Sequence, residues 1–197
     1  MGSIRSARDL LLLGLNTGVT NLRETLADIS EEEYGWEPLA PAERAPDRLS
    51  PPERKKVWRV FLKEGVWTYD YTPERLIPPP FTTIAWIMNH VTQTADMYLY
   101  CIQSGKAEGL ERTWDELPVP PSYAAMSKYL FEALAAVREY LETIPGRRVS
   151  VELNKLSPAP WGEMRPSYMN LWGGIVEHVI QHTEQIAARK DRIRYSS

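Results

Sequence analysis

The sequence predicts an all-α fold: an antiparallel four-helix bundle with a long Pro/Trp-rich crossover between its first and second helices. Three observations predict it. Stretches at about 4–30, 83–104, 122–144 and 167–194 carry apolar residues at helical spacing. Proline or glycine marks the joints between them, at Pro78-Pro79-Pro80, Pro145-Gly146 and Pro166. Strand signals are few, and no internal repeat or low-complexity tract interrupts the pattern.

Each element follows from its residues. In the first helix Leu11, Leu15, Leu22, Leu26 and Ile29 share one face, and Gly35 breaks the pattern. Residues 38–80 form the crossover. Within it Ser50-Pro51-Pro52-Glu53 has the form of a capping box, which predicts a short helix to about Leu62. Trp58, Trp67, Tyr69 and Tyr71 make this segment aromatic. A loop with that many large rings is expected to pack as a strap on the bundle or to serve as a lid over a cavity.

Thr82 or Thr83 caps the second helix, whose apolar face is Ile84, Ile87, Val91, Tyr98 and Ile102, with His90 beside it. A polar linker from Gly105 to Pro121 has Trp114 as its anchor. The third helix carries Met126, Leu130, Leu134, Val137, Leu141 and Ile144 as a core stripe and no histidine, so it reads as structural. Val149 to Leu153 alternates and predicts a short extended piece. Pro166 fits the first turn of the fourth helix.

Composition narrows the function classes. With 197 residues, 43 % of them hydrophobic, the chain suits one globular domain with a sizeable core. A net charge of −3 with interspersed signs gives no footprint for nucleic acid. A single cysteine, Cys101, excludes an intrachain disulfide and a cysteine-based zinc site; its apolar helical setting makes it a buried small hydrophobe. No apolar run reaches bilayer-spanning length, and Leu10 to Leu13 is too short for a signal-peptide core, so no membrane partner and a cytoplasmic location are expected.

The chemistry lies in the histidines. The chain has three, His90, His178 and His182. His178 and His182 are four residues apart and fall on the stripe Leu171, Ile175, Ile186 of the fourth helix. An imidazole on a core-facing line must be hydrogen-bonded or act as a ligand, because an unpartnered buried polar group is costly. A His-x3-His pair offers two nitrogens to one metal ion, and His90 from the second helix completes three if the two helices are neighbours. Three imidazoles with an open fourth position suit catalytic zinc; nickel, iron or manganese would also accept them. Packing histidines in a plain helical core are the alternative. Gln93 and Thr94, one turn after His90, and Gln185, one turn after His182, are candidates to orient an imidazole or a bound ligand. Glu177, Glu184 and Asp96 lie off the histidine faces, so no carboxylate is placed as a general base.

Two pieces carry a resemblance: Phe81-Thr82-Thr83-Ile84-Ala85-Trp86-Ile87-Met88-Asn89-His90, and Glu177-His178-Val179-Ile180-Gln181-His182-Thr183-Glu184-Gln185-Ile186. With the first helix and Ser30-Glu31-Glu32-Glu33-Tyr34-Gly35-Trp36-Glu37-Pro38, they make the chain similar to the DinB/YfiT-like superfamily of metalloenzymes. One histidine on helix two and His-x3-His on helix four are the family motif, and His90, His178 and His182 match it. The resemblance implies a four-helix bundle, often homodimeric, with a divalent metal at the three histidines, zinc or nickel foremost. It also implies thiol-dependent transferases and isomerases that use mycothiol, bacillithiol or glutathione. The Pro/Trp-rich crossover departs from a compact member.

Two mechanisms fit a metal without a neighbouring acid. In one, a cofactor thiol is held as its thiolate and attacks an electrophilic small molecule. In the other, an activated water hydrolyses an ester or amide. A non-catalytic ligand-binding or stress-response module on the same bundle is the alternative from outside enzymology, and the aromatic crossover motivates it.

Overall fold

The computed structural model describes residues 6–37, 57–71, 80–107 and 113–195. Three of its four long rods start where a hydroxyl satisfies a free backbone N–H. Helix α1 (Ala7–Leu26) begins at Ser6, whose Oγ accepts from the Asp9 N–H at 3.2 Å. A short α2 (Glu31–Gly35) comes next, closed by a reciprocal capping box between Ser30 and Glu33. Helix α3 (Ile84–Ser104) is capped by Thr83 through the Trp86 N–H and ends at Gly105, whose φ of 72° suits glycine. Helix α4 (Tyr123–Thr143) is capped by Ser122. After α5 (Val149–Asn154), the last rod runs through α6 (Ser167–Leu171), a π-helical turn (Trp172–Val176) and α7 (Glu177–Tyr195).

The four rods form the expected bundle, and the neighbouring pairs are α1 with α7, α7 with α3, α3 with α4, and α4 with α1. Their directions correct one expectation. The start of α1 meets the end of α4 through Arg8 and the Ile144 carbonyl, and Tyr123 at the start of α4 donates to the Leu26 carbonyl. Those two helices are antiparallel. So are α3 and the last rod, where Thr82 meets Arg189 and Tyr98 meets Gly174. But α1 and α7 are parallel, since Lys190 reaches the Thr25 carbonyl and Arg194 reaches Asp28. Helices α3 and α4 are parallel as well, with Thr92 against Met126 and Asp96 against Tyr129. The order is up-down-down-up rather than antiparallel throughout.

The physical reason lies in the connections. The segment 105–122 is long enough to return along α3, a 21-residue helix of about 31 Å. It does return: Leu117 packs on Met97 and Cys101, and the Gln93 amide donates to the Pro118 carbonyl at 3.4 Å. The long crossover between α1 and α3 starts and finishes at one end of the bundle.

The predicted core stripes are buried in full on α1, α3 and α4, and one cluster joins residues from all four rods. Cys101 is buried, and Trp114 packs partly buried against it. Among the described residues, no helix is long and apolar enough to cross a membrane.

Three local expectations change. The first helix ends at Leu26, because Ser30 caps a separate α2. The helix predicted to run to Leu62 is instead extended: β1 (Val57–Trp58) pairs in parallel with β4 (Phe81–Thr82), and β2 (Val60–Lys63) pairs with β3 (Val66–Tyr69). Glu64 and Gly65, with φ of 51° and 81°, make the tight turn of that hairpin, and its β-branched and aromatic residues suit strands. The predicted start of that helix at Ser50 lies outside the described residues. Residues 149–154 are helical rather than extended, because Val149 and Leu153, four apart, are buried together while Val151 faces solvent. A small hairpin of β5 (Leu156–Pro158) and β6 (Met164–Pro166) leads into the last rod at Ser167.

Candidate metal centre

Helix α3 supplies one imidazole and α7 two. α3 is buried on nearly every side, since the last rod, α4, the 57–71 hairpin and the returning linker all pack on it. His90 therefore sits inside the bundle. On α7, His178 and His182 occupy the stripe that faces α3, together with buried Ile186. The π turn just before His178 holds an extra residue per turn and so sets the rotational phase of α7. Gly174 within it lets α3 come close: a Cβ there would lie 2.3 Å from a Tyr98 ring carbon. Glycine at that position is a packing requirement.

The three imidazoles converge. Ring centroids are 5.0 Å apart for His90 and His178, 5.1 Å for His90 and His182, and 4.7 Å for His178 and His182. One donor nitrogen from each lies within 4.8 Å of the others. The Nε2 atoms of His178 and His90 are 3.0 Å apart. Two ligands of a tetrahedral ion with bonds of about 2.0–2.1 Å stand about 3.3 Å apart, so the spacing fits a shared cation after a small adjustment.

The protonation states fit as well. Burial pushes the His90 ring down to about 3, with the neighbouring His178 and His182 adding to the shift. Burial, then His182, brings His178 down to about 4. His182 is also lowered by burial, partly offset by its bond to Gln185. Neutral imidazoles keep the lone pairs that a metal requires.

The surroundings orient these rings. His182 Nδ1 donates to Gln185 Oε1 at 2.8 Å, which leaves Nε2 as the free donor atom. Gln93 is turned away, its amide on the Pro118 carbonyl, and Thr94 is buried on α3. Among the described residues no carboxylate joins the cluster: Glu177 is exposed and accepts from Gln181, Glu184 is exposed, and Asp96 accepts from Tyr129.

One neighbour escapes the sequence reading. Trp86 stacks on His90 at 4.8 Å and 17°, and its Nε1 donates to the Asp70 carbonyl at 2.7 Å. Trp58 packs on the same indole at 4.9 Å. The aromatic hairpin is thus a strap that braces the ring behind His90. The i, i+4 spacing of Trp86 and His90 is the signal that finds this contact in the sequence.

No curated protein and no solved structure matches the chain. The family model described as the DinB superfamily matches residues 15–186, a span that takes in all three histidines and parts of all four long helices. With two-helix histidine geometry and family match in agreement, this chain belongs to the DinB superfamily.

Proposed function

We propose that the protein is a divalent-metal-dependent enzyme that transfers or isomerises a small electrophilic substrate with the help of a low-molecular-weight thiol. The observation that carries the proposal is the set of three neutral imidazoles, drawn from two helices, with their donor nitrogens within 4.8 Å. A divalent cation held there would supply Lewis acidity and favour a thiol as its thiolate. The chain's own residues do the rest. His90, His178 and His182 hold the ion; Gln185 keeps the His182 proton on Nδ1; Trp86, fixed by Asp70, stops His90 from turning.

The lack of a carboxylate at the cluster, among the described residues, favours thiol chemistry over hydrolysis. A thiolate is a nucleophile as it stands, once its proton has gone to solvent, whereas water attack gains from a positioned general base. Zinc and nickel are the foremost candidates, with iron and manganese behind them.

Metal analysis of the purified protein beside a His182→Ala variant tests the foundation. About one divalent ion per wild-type chain and far less in the variant are expected. Negligible metal in both would end the reading. A panel of thiols with electrophilic substrates then tests the reaction, and turnover of an ester or amide without any thiol would favour hydrolysis.

A further inference from the structure

The hairpin and the returning linker line a half-open cavity to which none of the three histidines contributes. Its volume is about 540 Å³, within the range of small-molecule sites. Trp67 and Tyr69 line it from β3, and Trp114, Asp115, Leu117 and Pro118 from the linker. Trp67 and Tyr69 are two apart on one strand, so their rings project from the same face of the hairpin.

Two features give this cavity its chemistry. First, its rings are not stacked on one another: among the described residues, no ring contact joins Trp67, Tyr69 and Trp114. Second, no described guanidinium caps them. Arginines do sit over aromatic rings elsewhere, on Phe131, Phe61, Trp161 and Phe81. The charged residue that lines the cavity is acidic, Asp115, and no described arginine or lysine forms an ion pair with it. Asp115 and Tyr69 line the same cavity, and Tyr69 is pushed up to about 12, first by burial and then by the Asp115 charge.

We propose that this cavity is a binding site for a small organic cation of the quaternary or alkylated ammonium class. Aromatic faces carry negative electrostatic potential and hold such cations without competing strongly for water. A carboxylate at the rim supplies the counter-charge, and no basic residue among the described lining repels a cation. Both walls are tied to α3 within about one turn of His90 on either side. The hairpin is fixed through Asp70 and Trp86, and the linker through Pro118 and Gln93. The site is nonetheless separate from the three imidazoles, and its occupation does not depend on a metal.

Choline is the probe, and its uncharged carbon isostere is the control, each titrated into the full chain with saturation-transfer proton NMR on the ligand methyls. Saturable choline binding is expected, with the isostere at least about tenfold weaker. Asp115→Asn, at an exposed position, should weaken choline about threefold to tenfold and leave the isostere unchanged. Trp114→Leu should abolish choline binding, and a melting curve identifies any loss of fold there. A His182→Ala variant should bind choline as the wild type does, which separates this result from the fate of the metal reading. Absence of choline binding, equal binding of choline and isostere, or wild-type choline binding by Asp115→Asn and Trp114→Leu would each overturn the proposal.

Discussion

At the scale of single residues, what sets this site apart is that its imidazoles resist protonation. A solvated histidine titrates near 6.5, and protons then compete with metal. His90 is held down to about 3 by burial and by His178 and His182, His178 to about 4 by burial and by His182, and His182 is lowered by burial too. Metal affinity of the folded protein should therefore fall by less than about tenfold between pH 7 and pH 5.5. Three ordinary imidazoles would lose about a thousandfold over that interval. Competition against a chelator of known affinity at the two pH values measures the difference, and a loss near a thousandfold would show that the rings are open to solvent. The histidines were readable in the sequence because all three fall on or beside apolar stripes. Gln185 was readable by the same spacing, one turn beyond His182. Gln93 satisfies the same rule on α3 and yet bonds the linker at Pro118, because one-dimensional spacing does not know what covers the far side of a helix.

At the scale of elements, two contacts fix where α7 lies. The first is the close approach at the π turn. Gly174→Ala would force a methyl into the Tyr98 ring, which is itself buried. Overpacking of this kind costs about 1–3 kcal/mol, and the melting temperature should fall by several degrees, since each kcal/mol is worth about 2–4 °C in a chain of this size. Metal binding should weaken as well, because the same displacement moves His178 away from His90. A Gly173→Ala substitution is the control: there the nearest atom to an added Cβ is a flexible Glu177 oxygen at 3.8 Å.

The second contact is at the opposite end of the rod. Asp28 accepts from both Lys190 and Arg194, and Arg194 also reaches Glu33 at 2.7 Å. Hydrogen bonds from Lys190, then Arg194, hold Asp28 down at about 2, below its ordinary 3.8. The sign depends on which state takes up protons first. Below about pH 3.8 the unfolded chain protonates Asp28 and the folded protein does not, so stability from this lock is full above that value and is lost as pH falls towards 2. Asp28→Asn should thus melt earlier than wild type at pH 7, with the gap closing by pH 2. Added salt should narrow it at neutral pH, since Asp28 and Arg194 are exposed. A gap of equal size at both pH values would assign the effect to something other than charge.

At the scale of the whole molecule, helix content and core were legible, and the path of the chain was not. Periodicity marks the four rods to within a few residues, since each stripe needs only its own sequence to be seen. The directions of the rods depend on where the connections go, and a polar linker such as 105–122 carries no periodic signal for that. Its anchors, Leu117 on Met97 and Gln93 on Pro118, exist only in three dimensions. The hairpin at 60–69 was missed for a related reason: proline-rich capping chemistry upstream masked a strand pair whose stability comes from packing Trp58, Val60 and Tyr69 on the bundle.

The resulting architecture makes one prediction about the molecule entire. The three imidazoles come from α3 and α7, which run antiparallel and are separated in sequence by the linker, α4 and the 145–166 segment. A bound ion therefore ties together rods that the chain itself joins only through about half its length, and the unfolded chain has no comparable site. Such a ligand stabilises by its affinity for the folded state alone, about 2.7 kcal/mol at a hundred times its dissociation constant. The melting temperature should then rise by about 5–10 °C on addition of zinc or nickel to metal-stripped protein. His182→Ala should lose that increment while it keeps a cooperative transition, because the core stripes of α1, α3 and α4 do not depend on the imidazole. A metal-induced rise of the same size in His182→Ala would mean that the ion binds elsewhere, and a wild-type melting curve indifferent to both metals would leave the three rings as packing residues of the bundle.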